Sequence, residues 1–215
     1  MGLLTIALAI LVVRLVKGDM EGLVLAAKVV RDGGILSYPT DTVYGLGCDP
    51  FAQPALERII RVKGDRKKPL PVLVKALDEA RRIADFSEQA TILAAKFWPG
   101  PLTLVLKAKA AVPRVLAPSG TIGLRSPNHV TCLNLLDLCS GCLVGTSANR
   151  TGMDPATTAE QVVSELGNNV DLIVDGGRAP LGVASTVVDL SSDFAIIRQG
   201  PISREELQKC LRNGR

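Results

Sequence analysis

Aromatic side chains are scarce in this chain, at 3% of its residues, and histidine occurs once. The first shortage weighs against a surface that stacks nucleobases, which needs Phe, Tyr or Trp platforms. The second excludes a metal centre built from imidazoles and leaves no spare base for a Ser-His-Asp triad. His129 follows Pro127 and is read as a capping or structural residue at a helix start. No Gly-Lys-Ser/Thr occurs, so there is no P-loop, and no Gly-x-Gly-x-x-Gly follows a strand. The chain has five cysteines. Their odd count, with Cys48, Cys132 and Cys210 far apart, makes no disulfide framework and fits a reducing, cytoplasmic setting. The Cys-x-x-Cys at 139–142 has no second pair and falls at a helix-to-strand junction, so it is read as core. The longest apolar run, "LLTIALAILVV" at 3–13, has no cation before it. Arg14 and Lys17 cut it short of the roughly 20 residues a membrane span needs. It is read as a buried strand, and no membrane partner is expected.

What is present describes a folded domain. Of the 215 residues, 47% are hydrophobic and 21% charged, enough for one core built from Leu, Val, Ile and Ala. The net charge of +4 favours an anionic ligand without amounting to a nucleic-acid coat. Strand-like and helix-like segments alternate. Strands are expected at 9–16, 34–39, 70–74, 101–108, 121–125, 142–146, 170–177 and 185–190. Helices are expected after Asp19, Pro54, Ser87, His129 and Thr158, and after Ser203, which forms a capping box with Glu206. This interleaving with short connections predicts a single α/β domain with a mainly central, open sheet covered by helices.

Four stretches carry small or hydroxyl residues just beyond a strand: "PTDTVYGLG" (39–47), "GLRSP" (123–127), "GTSANRTG" (145–152) and "GVASTVV" (182–188). Strand ends of an open sheet are where ligands usually sit, and hydroxyls and free N–H groups there hold carboxylate or phosphate oxygens. Beside them runs "VKGDRKKPL" (62–70), with Lys63, Arg66, Lys67 and Lys68. Arg125 and Arg198 each end a strand. Cations converging on hydroxyl-lined strand ends suit a triphosphate. With no cluster of nucleophile and base, the economical chemistry is positioning and charge stabilisation, as in nucleotidyl transfer.

The same segments, with "WPGPLTLVLK", "DGG" and "IIRQGPIS", resemble in order and over roughly residues 12–211 the YrdC-like domain of the threonylcarbamoyl-AMP synthases. Residues 1–11 would then be an extension or strand start and 212–215 a tail. The resemblance implies a twisted, open mixed sheet with flanking helices and a large concave cavity. The implied reaction makes L-threonylcarbamoyl-AMP and pyrophosphate from L-threonine, bicarbonate and ATP with Mg2+, for modification of a tRNA adenosine. Weak contact with tRNA and transfer of the product to a threonylcarbamoyl-transferase machinery are implied too. The longer family members carry a further C-terminal domain, and this chain is expected to correspond to the first one. Carried over residue by residue, Thr42, Arg125, Gly145 (through its backbone) and Ser185 match threonine contacts. Arg66, Lys68, Thr121, Ser147 and Arg198 match ATP contacts, and Lys63, Arg66, Ser147 and Asn149 are the catalytic candidates. No metal-ligating side chain is implied. Two departures stand out. Lys63 and Arg66 are spaced Lys-x-x-Arg where the family has Lys-x-Arg, with Asp65 where Arg is common, and Leu73 stands where relatives often have His. Two other readings remain open: an RNA-binding module without turnover, and a domain handling carbamoyl-adenylate within a larger maturation protein.

Overall fold

The computed structural model describes residues 14–64 and 69–214. Along them run β1 (Arg14–Lys17), α1 (Met20–Arg31), β2 (Leu36–Tyr38), β3 (Gly45–Gly47), α2 (Gln53–Lys63), β4 (Val72–Val74), α3 (Leu77–Ile83) and α4 (Glu88–Phe97). The chain continues through β5 (Leu102–Lys107), β6 (Thr121–Arg125), α5 (Val130–Leu138), β7 (Cys142–Val144), β8 (Thr146–Ser147) and α6 (Ala159–Leu166). It ends with β9 (Leu172–Asp175), β10 (Thr186–Asp189), β11 (Ala195–Arg198) and α7 (Arg204–Asn213). The part of the expected first strand before Arg14, the extension 1–11, and Arg66 and Lys68 of the basic loop lie outside the described residues.

Helix starts follow their cap residues. The Asp19 carboxylate accepts from Gly22 N at 3.0 Å, and the Ser87 hydroxyl accepts from Ala90 N. Thr158 with Gln161 and Ser203 with Glu206 form capping boxes, each satisfying N–H groups the first turn leaves without partners. His129 occupies the N-cap position of α5 but its side chain makes no cap bond. α7 continues to Asn213, into the segment read as a tail.

The α/β class holds, and the strands divide between two sheets. One has the order β1-β9-β2-β3-β8 and the other β11-β10-β5-β6-β4-β7. The stretch 142–146, read as a single strand, crosses between them. β7 pairs with β4 in the six-stranded sheet, and β8 pairs with β3 in the five-stranded one. The break falls at Gly145, whose N–H donates to the Pro71 carbonyl at 2.9 Å. A Cβ at Gly145 would lie 2.3 Å from Leu73 Cγ, so this crossing tolerates no side chain. β3 reads from sequence as a ligand loop, because two of its three residues are glycine, a poor strand former. It forms because the Tyr38 ring covers it, 3.0 Å from where a Gly45 Cβ would be. The Tyr38 hydroxyl also donates to the Val144 carbonyl at 2.6 Å, tying the two sheets together.

Two apolar clusters hold the frame. The larger joins Leu56 and Ile59 of α2, Leu93 of α4 and Val162 of α6 to Leu104, Leu124 and Ile173 of the sheets. The smaller packs Leu23, Ala26 and Val30 of α1 against Leu135 and Leu136 of α5, over Leu36 and Leu172. Each leucine so buried contributes about 2 kcal/mol of transfer free energy. Arg58 of α2 and Asp171 form a two-pronged pair at 2.8 Å for each prong, and Asp171 also accepts from Ile35 N at 2.8 Å.

Candidate functional site

Between the two sheets lies a cavity of about 530 Å3. Its floor is the six-stranded sheet. Side chains alternate across a strand, so Val187 and Asp189 face it from β10, with Ser185 just before that strand, and Thr103 and Val105 face it from β5. Thr121, Gly123 and Arg125 face it from β6. The register sets Val105 beside Asp189 on one flank and Gly123 on the other. Thr40 and Thr42 of the β2–β3 loop and Gly45 of β3 close it from the other side, with Gly145 and Ser147 at the crossing. Seven residues expected from sequence therefore meet in one space: Thr42, Thr121, Arg125, Gly145, Ser147, Ser185 and Arg198.

Arg125 is 6% exposed and held at every prong. Its Nε donates to the Gly100 carbonyl at 3.0 Å, and its Nη1 donates to Thr42 Oγ1 at 2.8 Å. Its Nη2 donates to Asp41 Oδ1 in a buried ion pair. Burial pushes the Arg125 guanidinium below its usual range, against the pull of Asp41. Thr42 is positioned in turn by Thr40. The Thr40 hydroxyl donates to the Val43 carbonyl at 2.6 Å, so its one hydrogen is used. In the 3.0 Å contact between the two hydroxyls, Thr42 is the donor. Asp41 was not singled out from sequence. A signal existed: a buried arginine needs an acid, and Asp41 sits between two hydroxyl residues expected in the same pocket.

A second hydroxyl group lies across the floor. Ser185 Oγ is 2.8 Å from Thr103 Oγ1. Arg198 donates from Nη2 to Ser185 Oγ at 3.2 Å and from Nε to the Ser185 carbonyl at 3.0 Å. Arg198 has no carboxylate within ion-pair distance among the described residues. Burial lowers its pKa, and the positive charge of Arg125 lowers it further. Two guanidinium groups thus line one cavity: Arg125 is paired to Asp41, and Asp189, the carboxylate in the lining, is paired to neither arginine, so the positive charge left for an anion is on the Arg198 side. Thr103 is the other residue missed from sequence, because a threonine in mid-strand reads as an ordinary strand former.

Ser147 borders the cavity, and behind it the chain folds around Lys63. The Lys63 ammonium donates to the carbonyls of Ser147 at 2.8 Å and Asn149 at 2.5 Å, and to Asn149 Oδ1 at 2.9 Å. Ser147 Oγ donates to that same Oδ1 at 2.6 Å, and Asn149 Nδ2 donates to the Met153 carbonyl. Lys63 is 3% exposed and is bonded to the loop that carries Ser147. Leu73 lines the cavity from β4, against Gly145.

The thiols lie apart from this space. Burial pushes Cys139 up to about 12 and Cys142 up to about 11, which suits inert packing residues rather than nucleophiles. His129 is held below its usual range by burial and is absent from the cavity lining. No helix among the described residues is long and apolar enough to cross a membrane.

Taken together, two sheets enclosing hydroxyls and two arginines define an α/β domain whose cavity has the lining that suits a small anionic ligand. The chain belongs to the Sua5/YciO/YrdC family: residues 28–200 match its model, which carries the description Telomere recombination. A Pyrococcus abyssi protein named Threonylcarbamoyl-AMP synthase is 36% identical over 191 residues, covering 87% of this chain and 56% of that relative. A Bacillus subtilis protein of the same name is 35% identical over 193 residues, covering 86% and 55%. The chain therefore spans just over half the length of these relatives. The crystal structure of P. abyssi Sua5 complexed with L-threonine matches with a TM-score of 0.87 and 34% identity, over 93% of this chain and 60% of that one.

Proposed function

We propose that this chain joins L-threonine, bicarbonate and ATP into L-threonylcarbamoyl-AMP and pyrophosphate, the activated group for modification of a tRNA adenosine. The observation that carries the reading is the convergence of Arg125, Ser185 and Arg198 on one hydroxyl-rich floor opposite Ser147. The names of the two relatives and the threonine held by the P. abyssi protein support it.

In this reading the threonine carboxylate meets the remaining N–H groups of Arg125, a fork held in place in advance by its bonds to Gly100, Asp41 and the threonine-site residue Thr42. The threonine hydroxyl meets Ser185. The neutral amine adds to the carbon of bicarbonate and water leaves, giving an N-carboxylate. One oxygen of that carboxylate then forms a bond to the α-phosphorus as the bond to the β-phosphate oxygen breaks, releasing pyrophosphate. Arg198, with no acid paired to it among the described residues, stabilises the phosphate charge that develops. Lys63 acts through the loop it holds, keeping Ser147 and Asn149 against the nucleotide. Arg66 and Lys68, outside the described residues, are proposed as further phosphate contacts, and Thr121 as one from the floor. Magnesium enters as the counter-ion of ATP, carried on its phosphates. A cytoplasmic setting, weak contact with tRNA and delivery to a threonylcarbamoyl-transferase machinery complete the proposal.

Pyrophosphate release tests this reading. It is expected only when ATP, L-threonine and bicarbonate are all present. Release that needs neither threonine nor bicarbonate would overturn it, and salt-sensitive tRNA binding with no nucleotide turnover would favour an RNA-binding module instead.

A further inference from the structure

Among the described residues, Asp189 is the single carboxylate lining a cavity whose other charged lining residues are Arg125 and Arg198. It stands at the end of β10, two and four residues beyond Val187 and Ser185 on the same face. Exposure grades along that face. Ser185, Thr103 and Arg125 are 4%, 7% and 6% exposed, whereas Val187, Asp189, Thr121, Gly123 and Val105 are half-buried. Asp189 and Thr121 therefore mark the more open end. The carboxylate is fixed in direction: Oδ1 accepts from Ser191 N at 2.8 Å and from Ser191 Oγ at 2.7 Å. Its Oδ2 has no hydrogen-bond partner among the described residues, and no cation lies within ion-pair distance of it there.

We propose that Asp189 is a specificity-determining residue that accepts a hydrogen bond from the uncharged, donor-bearing end of the nucleotide and so sets which way the nucleotide lies in the cavity. Phosphate oxygens only accept hydrogen bonds, and a fixed carboxylate repels them, so the phosphates lie toward Arg198. The group that reaches Asp189 must donate. A nucleoside triphosphate carries such donors at its far end, as ribose hydroxyls and as the exocyclic amine of the base. A carboxylate acceptor rejects an analogue lacking the donor more strongly than an apolar wall would, because the bound analogue covers the oxygen and removes its water without replacing the hydrogen bond.

This inference rests on the nucleotide reading of the cavity, and the experiment separates the two. Dissociation constants are measured by calorimetry on the full chain for ATP, 2′-deoxy-ATP, 3′-deoxy-ATP and inosine triphosphate, with magnesium held constant. The unmodified chain is expected to prefer ATP over one of the analogues by about tenfold or more, the size of one hydrogen bond to a charged group. A deoxy analogue would identify the ribose as the donor, and inosine triphosphate the amine. Asp189→Asn leaves a carbonyl oxygen for Ser191 and turns the free position from acceptor to donor, so the preference should collapse toward unity. Ratios are compared because removing the charge also relieves repulsion of the phosphates. If the unmodified chain binds no ATP, the nucleotide reading and this inference both fail. If it binds ATP without preferring it over any analogue, the Asp189 inference alone fails, whether or not the variant folds. It also fails if the preference survives Asp189→Asn, or if that variant alters only the magnesium dependence of binding.

Discussion

Arg125 and Arg198 both end strands of the six-stranded sheet and both donate to a hydroxyl in the same cavity, Arg125 to Thr42 and Arg198 to Ser185. Among the described residues, only Arg125 of the two has a carboxylate within ion-pair distance. Its charge is offset before any ligand arrives, and three hydrogen bonds decide where it points. Arg198 is positioned by the bonds it donates to one residue, Ser185, and its charge is opposed by that of Arg125. The first arginine is thus part of the fold as well as the site. The second carries electrostatic strain that an anion would relieve.

The largest effect should come from removing the acid behind Arg125. Asp41→Ala leaves a buried guanidinium uncompensated and is expected to cost about 3–5 kcal/mol, read as a fall in the urea midpoint at unchanged slope. A loss under about 1 kcal/mol would mean that Arg125 is not held by this pair. Arg198→Ala should do the reverse. Unfolding stability is expected to stay within about 1 kcal/mol, the usual range for removing an exposed cation, while ATP affinity falls about tenfold or more. Equal losses of stability in the two variants would erase the distinction.

Arg58 and Asp171 supply a calibration away from the cavity, a pair that is about one-third exposed. Burial raises the Asp171 pKa, but the Arg58 hydrogen bonds and Ile35 N–H outweigh it, so the carboxyl lies below its ordinary value. A depressed folded pKa stabilises the fold fully above the unfolded carboxylate value of about 3.9. That contribution is lost as pH falls through the lower folded value. Asp171→Asn should cost about 1–2 kcal/mol at neutral pH and flatten stability against pH in the acid range. An acid limb of unchanged steepness would contradict the assignment. The smallest effect is expected from Thr103→Val, which removes one hydroxyl from Ser185. The KM for threonine should rise about threefold to tenfold with little change in kcat, and Thr103→Ser should restore it.

The parts of this arrangement that were legible in the sequence share a cause. Thr42, Arg125, Ser147 and Ser185 are hydroxyls or cations next to strand ends, and strand ends and caps are local features. Asp41, Thr103 and the direction of Lys63 depend on what faces them across the fold. Lys63 stands in a basic run and reads as a phosphate grip, yet its ammonium is bonded to oxygens 84 and 86 residues away. The division into two sheets was hidden for a related reason. It turns on Gly145, where the need for glycine arises from contact with Leu73 and not from any local signal. The strand β3 was missed because Tyr38, not its own propensity, stabilises it.

The central claim is that one cavity orders an amino acid at Arg125 and a nucleotide toward Arg198, with the carbon of bicarbonate joined between them. The most direct test is the mass of the product formed from ATP, 13C-labelled bicarbonate and a panel of amino acids. The account predicts an adenylate carrying one labelled carbon, formed with L-threonine and at most weakly with other amino acids. An adenylate without the label, or equal yields across the panel, would contradict it.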